Sequence, residues 1–319
     1  AYTGSKSIQV INEYVDFLCS KIKCKKSEVL VSSTGVIGEI FKSTKIIKNI
    51  AKIYKTKNTS LLNAAKSIMT TDTYPKISIQ NVKIDNIKFK IYGIAKGSGM
   101  IKPNMGTMLA YIFIEISVSK KILERLLKYN LDNTFNAISV DSDTSTSDTL
   151  VLFSLNKKKV NLLKNKNLLV LNKAIYKIMH DLSLKVIQDG EGLSKLIKVN
   201  VQKSKSKNQA KNIAFSIVDS PLVKTAIAGE DANWGRVIMA IGKSKERIEQ
   251  NNLKIFFGKN LVCENGKKSK KLNLSKLNRY MKNNTIEITI LIQNGKFNHT
   301  VYGNDLTYKY IKINADYRS

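Results

Sequence analysis

KGSGMIKPNMGTMLAYIF, residues 96–113, carries a glycine-rich approach into an apolar run. Gly97 and Gly99 stand two apart, Pro103 follows, and Gly106 immediately precedes Thr107. From Met108 to Ile114 every residue is apolar, which reads as a strand entering the core. A threonine hydroxyl is unreactive by itself and needs a base. The threonine's own α-amino group, with an ordinary pKa of about 7.7–8.0, suits that task at neutral pH. It becomes free only if the bond before Thr107 is broken. The hydroxyl can attack the preceding carbonyl, shift the chain from nitrogen to oxygen, and release a new N-terminus on hydrolysis. Gly106 offers that attack little steric hindrance. Spacing alone favours the plainer reading, in which Thr107 merely opens a buried strand.

Outward from this stretch, element types alternate. Ile8, Ile11, Val15, Leu18 and Ile22 recur at three and four residues, which predicts an amphipathic helix. Glu28–Ser32 reads as a short strand ending in a turn at Thr34–Gly35. Residues 45–54 and 60–69 read as helices, and 76–92 alternate at strand spacing. A helix is expected around 119–129 and a strand followed by a helix in 210–245. Residues 285–302 read as two strands about a turn at Asn294–Gly295. The predicted class is mixed α/β with much antiparallel sheet. The lysine-rich tracts 156–167, 203–211 and 266–271 read as exposed connections.

The chain has 319 residues, 43% of them apolar, so a sizeable core is available,. Lys and Arg outnumber Asp and Glu by 54 to 24, for a formal charge of +30. Such a field attracts phosphate backbones. The basic runs are scattered, mostly lysine, and lack the aromatic interleaving of a stacking platform, so a solvated surface is the better reading and no nucleic-acid partner is expected. No apolar stretch reaches the roughly 18 residues of a membrane span, and no signal segment is visible. A cytoplasmic protein without a membrane partner is expected.

Several tempting motifs fail. Gly242–Lys243–Ser244 resembles the end of a phosphate-binding loop, but Val237 stands where its first glycine belongs,. Gly97–Ser98–Gly99 has Lys102 at the third dinucleotide-binding position. Cys19 and Cys24, five apart on a helix-like segment, are expected on different sides of it, and Cys263 is remote. His180 and His299 stand alone and read as structural, so no metal site is expected. The acidic stretch 141–149 lacks the glycine and terminal glutamate of a calcium loop and reads as structural.

Seven stretches carry a resemblance along the whole chain: SSTGVIG (32–38), MTTDTYPK (69–76), GIAKGSGMIKPNMGTMLAYI (93–112), DSDTSTSDT (141–149), GEG (190–192), GEDANWGR (229–236) and INADYRS (313–319). Together, and in this order, they resemble the ornithine acetyltransferase family, the bifunctional glutamate N-acetyltransferases of arginine biosynthesis. The resemblance implies a self-processing α/β fold: an α chain of residues 1–106 ending at the cleavage site Gly106–Thr107, and a β chain, 107–319, beginning with the nucleophile. The opening AYTG resembles an internal family motif, so a precursor with further N-terminal sequence is expected. Matched position by position, Thr107 is the nucleophile, and Thr34 and Gly35 form the oxyanion hole. Thr70, Lys96, Glu191, Asn314 and Ser319, with Thr107, contact substrate. The implied reaction is a ping-pong transfer from N-acetylornithine to glutamate, with acetyl-CoA a donor for some members and no resident cofactor. The α and β chains are expected to assemble as a heterotetramer.

Overall fold

The computed structural model describes residues 2–56, 59–102, 108–145, 147, 149–293 and 295–316. Gly106, Thr107 and Ser319 lie outside the described residues. Helix α1 (Gly4–Ile22) buries Tyr14 and Val15 and packs on α2 (Ser43–Lys55). Ser60 opens α3 (Leu61–Ser67), its hydroxyl accepting the Asn63 N–H at 3.1 Å,. The alternating segment then folds as the hairpin β1 (Lys76–Ile84) and β2 (Ile87–Lys96), with Ile84 opposite Ile87. After β2 come β3 (Leu109–Ile116), α4 (Lys120–Leu131), β4 (Ile138–Ser139) and β5 (Thr149–Lys158). A four-stranded sheet results, ordered β1-β2-β3-β5, with β3 and β5 parallel and the other pairs antiparallel.

The long helix α5 (Asn165–Gln188) packs on β1 and β2. Beyond it run β6 (Leu196–Ser204), α6 (Lys207–Val218), α7 (Pro221–Ala228), α8 (Trp234–Lys243), β7 (Lys254–Phe257), β8 (Asn260–Glu264) and β9 (Lys267–Lys268). The chain closes with α9 (Leu274–Met281), β10 (Thr285–Leu291), β11 (Phe297–Asn304) and α10 (Tyr308–Asp316). The second sheet is ordered β4-β11-β6-β10-β7-β8-β9. His180 of α5 lies 5.7 Å, centroid to centroid, from Tyr302 of β11, so α5 separates the two sheets. One core fills the space around α5; a second lies between the larger sheet and α6, α8 and α9. The mixed, largely antiparallel α/β class expected from the sequence is the one observed.

Five local readings change. Glu28–Ser32 is not a strand: residues 26–28 form one 3₁₀ turn and 29–34 join no ladder among the described residues. The Glu28 carboxylate accepts the Lys25 N–H at 2.7 Å and closes the turn instead. Residues 210–245 hold no strand but parts of three helices, because Ala210, Ile213, Ala214 and Ile217 recur on one buried helical face,. Ser206, Ser220 and Asn233 cap the three N-termini.

The two strands in 285–302 do not form a hairpin. Val199 of β6 lies between them, opposite Ile288 on one side and Val301 on the other. This pairing satisfies both backbone edges of the buried β6. Asn294 lies outside the described residues. Cys19 and Cys24 also come together, with their sulfurs 3.6 Å apart. Spacing on a helix misplaces them because α1 ends at Ile22, and Lys23, at φ 55°, turns the chain back.

The lysine tracts are only partly connections. Lys157 and Lys158 close β5, Lys203 lies on β6, and Lys267 and Lys268 form β9. Lys207 and Lys211 lie on α6, each 3.5 Å from Asp132.

Candidate active site

One end of the four-stranded sheet assembles the site. Leu109 of β3 has Lys96 of β2 as partner on one side and Thr149 of β5 on the other. The Thr149 N–H donates to the Met108 carbonyl at 2.9 Å, one residue before β3 begins. The chain thus leaves the sheet at Lys96 and re-enters it beside Lys96.

A cavity of about 210 Å³ opens at this edge. Its lining includes Thr34, Gly35, Thr70, Lys96, Glu191 and Asn314, six sequence-predicted positions from five separate motifs. Thr71, Ser98, Gly99, Ser145 and Ser147 also line it; each lies inside a quoted motif, but none was among the expected substrate or catalytic positions. A wider groove of about 620 Å³ runs over Lys83, Lys88, Lys90, Tyr92 and Glu115. That groove gathers none of the sequence-predicted residues.

Lys96 is only 5% exposed, although it lines the cavity. Glu191 approaches from the segment after α5, its N–H donating to the Ser98 carbonyl at 2.9 Å. Gly99 faces the carboxylate: a Cβ there would lie 2.5 Å from Glu191 Oε2. Asn314 Nδ2 donates to the same oxygen at 3.1 Å. The helix that carries Asn314, α10, docks where only glycine fits, since a Cβ at Gly192, with φ +69°, would lie 2.3 Å from the Tyr310 nitrogen,. The Thr307 hydroxyl donates to the Gly192 carbonyl at 2.6 Å.

The acidic stretch holds the glycine-rich approach in place. Both oxygens of Asp141 are occupied by backbone donors, Met100 N–H at 2.7 Å and Ile101 N–H at 2.9 Å. Burial raises its carboxyl above the usual range, against the pull of those two N–H groups. Burial likewise lowers the Lys224 ammonium to about 8. That ammonium donates to the Val140 carbonyl and, at 3.1 Å, to Asn304 Oδ1. The Val140 N–H donates in turn to the Ile101 carbonyl at 2.6 Å. The reading of 141–149 as structural therefore acquires a target, the backbone at Met100 and Ile101.

Chemically, the cavity joins a cation and a carboxylate with a run of hydroxyls and the irregular Thr34–Gly35 segment. This arrangement suits a small zwitterion with a polar side chain.

Comparison with known proteins agrees. A model of the ArgJ family matches residues 1–319. The arginine biosynthesis bifunctional protein ArgJ of Bartonella henselae is 42% identical over all of this chain, which spans 79% of that relative's length. The protein of the same name from Rhizobium meliloti is 41% identical with the same coverage. Among solved structures, the arginine biosynthesis bifunctional protein argJ of Bacillus halodurans matches with a TM-score of 0.61 and 32% identity, over 66% of this chain and 100% of that one. With its motifs in order, its cavity residues gathered and its full length matched, the chain belongs to the ArgJ family.

Proposed function

We propose that the chain is a glutamate N-acetyltransferase of arginine biosynthesis, moving an acetyl group from N-acetylornithine to glutamate through an ester on Thr107. The observation that supports this most is the convergence of Thr34, Gly35, Thr70, Lys96, Glu191 and Asn314 on one cavity beside the start of β3.

The proposed steps follow from the groups at hand. Autocatalytic cleavage between Gly106 and Thr107 frees the threonine amine, dividing the chain into 1–106 and 107–319. That amine takes the hydroxyl proton as the Thr107 oxygen attacks the acetyl carbonyl. Thr34 and Gly35 donate hydrogen bonds to the carbonyl oxygen as it gains negative charge. The C–N bond breaks, ornithine leaves with the proton, and acetyl-Thr107 remains. Glutamate then enters, its amine attacks the ester carbonyl, and the threonine hydroxyl is restored. Lys96 pairs with a substrate carboxylate, Glu191 with an α-ammonium, and Thr70, Asn314 and Ser319 complete the contacts. Relatives carry the name bifunctional, and acetyl-CoA is the donor that a second activity would use. The cleaved chains are proposed to assemble as a heterotetramer in the cytoplasm. Among the described residues, no helix is long and apolar enough to cross a membrane.

The test is transfer of label from acetyl-labelled N-acetylornithine to glutamate, with acetyl-CoA as a separate donor arm. Labelled N-acetylglutamate, absent with Thr107→Ala, supports the proposal. Release of free acetate whether or not glutamate is present would instead make the protein a hydrolase with the same nucleophile.

A further inference from the structure

The MTTDTYPK motif conceals a buried ion cluster. Lys76 is fully buried, its ammonium 2.6 Å from Asp72 Oδ1 and 2.5 Å from Asp189 Oδ2. Neither carboxylate has appreciable solvent contact. Two carboxylates share one ammonium, and burying such a cluster is costly unless its remaining lone pairs are satisfied.

Here they are satisfied by the backbone of the site. Asp72 Oδ2 accepts the Thr70 N–H at 3.1 Å, and Asp72 Oδ1 accepts the Gly97 N–H at 2.7 Å. The first bond sets the peptide plane entering Thr70; the second sets the plane joining Lys96 to Gly97. Asp189 Oδ2 accepts the Thr73 N–H at 2.9 Å, and its other oxygen accepts the Thr73 hydroxyl. Asp189 stands two residues before Glu191, at the end of α5. One residue closer to the cavity, the Thr71 and Ser98 hydroxyls share a hydrogen bond of 2.5 Å. Burial by itself would raise the Asp72 carboxyl, but the Gly97 N–H and the Lys76 ammonium outweigh it and hold it below the usual range.

We propose that Asp72, Lys76 and Asp189 are positioning residues, a charged clamp that holds Thr70, Lys96 and Glu191 in the arrangement substrate binding requires. This rests on the acetyltransferase reading for the identity of the substrates. The clamp does not touch substrate. It sets the backbone from which three substrate-contacting side chains project, where a small displacement is costly.

Asp72→Asn is the informative variant, because it leaves the Lys76–Asp189 pair intact. Its amide can still accept from Lys76 and Gly97, but then turns its NH₂ toward the Thr70 N–H. The clamp predicts a KM for N-acetylornithine raised about tenfold with kcat within about twofold. In a Thr70→Ala background the same change should have less than about a twofold effect, since the positioned hydroxyl is already gone. Hydrogen exchange should quicken at the Thr70 amide, which loses its acceptor, and not in β6 or β10. Full additivity of the two substitutions, or an unchanged KM in the folded variant, overturns the clamp. If Asp72→Asn fails to fold, Asp189→Asn, which retains the Lys76–Asp72 pair, is compared with Glu191→Gln in the same way. Failure of both to fold makes the cluster a stability element and also overturns the proposal. An unmutated enzyme that transfers no acetyl group sinks the acetyltransferase reading instead; hydrogen exchange then decides the clamp, and unchanged exchange at Thr70 overturns it.

Discussion

Asn314, in the last helix, donates through Nδ2 to Oε2 of Glu191 at 3.1 Å, across 123 positions of sequence. The tail is therefore a wall of the cavity, joined to the residue proposed to meet the substrate's ammonium. Asn314→Ala leaves every buried contact in place, because the residue is exposed. The expected outcome is a several-fold rise in KM for both substrates with an unchanged thermal midpoint. Unaltered steady-state kinetics would remove the tail from the site.

Gly99 supplies a second test, because space there is set by one side chain. A methyl group at this position would lie 2.5 Å from Glu191 Oε2 and 2.6 Å from its carboxyl carbon. Gly99→Ala should push the carboxylate out of place and weaken substrate binding by about tenfold or more. Gly99→Ala combined with Glu191→Gln should be no worse than Glu191→Gln alone. Independent effects, measured as KM in all four proteins, would mean that Gly99 acts on something other than Glu191.

Much of this site was legible in the sequence, by resemblance rather than by composition. By composition Thr34 reads as part of an ordinary turn, Lys96 and Glu191 as solvated surface and Asn314 as a frayed tail. The resemblance marked them as site candidates, and the structure brings Thr34, Thr70, Lys96, Glu191 and Asn314 onto one cavity. The clamp was not legible. Lys76 reads as one lysine among many in a strongly basic chain, and its partner Asp189 is 113 positions away. In the fold, strand and helix periodicity identified β1 to β3 and α1 to α4, while the long α5 went unread. It failed in 285–302 because the strand between β10 and β11 is β6, a partner no local pattern reveals. It failed at Cys24 because one residue, Lys23, turns left-handed at the end of α1.

Thr34→Ala tests the oxyanion assignment. Thr34 and Gly35 line the cavity from a segment without regular structure, so the substitution disturbs little packing. The acetylation rate in a single turnover should fall by about 10²-fold or more if the hydroxyl is a donor to the oxyanion. An unchanged rate in the folded variant would leave only backbone donors for that role.

His299 gives the protein an acid sensitivity unrelated to catalysis. It is 3% exposed on β11, and among the described residues neither ring nitrogen finds a partner. Burial foremost, then the nearby Lys207 and Lys211, lowers its pKa to about 4 from 6.5, with Asp132 opposing. Below pH 6.5 the unfolded chain binds a proton that the folded chain refuses. Stability therefore falls as pH drops from about 6.5 to 4, by about 3 kcal/mol at most. In His299→Leu that dependence should flatten, as followed by denaturant unfolding across the window. An identical pH slope in the variant would assign the loss to other groups.

The central claim is that Thr107, freed by cleavage after Gly106, carries the acetyl group. Its most direct measurement is mass spectrometry of the purified protein after mixing with N-acetylornithine and no acceptor. The account expects two chains divided at Gly106–Thr107, with the Thr107 peptide one acetyl group heavier and returning to its original mass when glutamate is added. An undivided chain that still transfers acetyl groups, or a divided one acetylated only elsewhere, would contradict it.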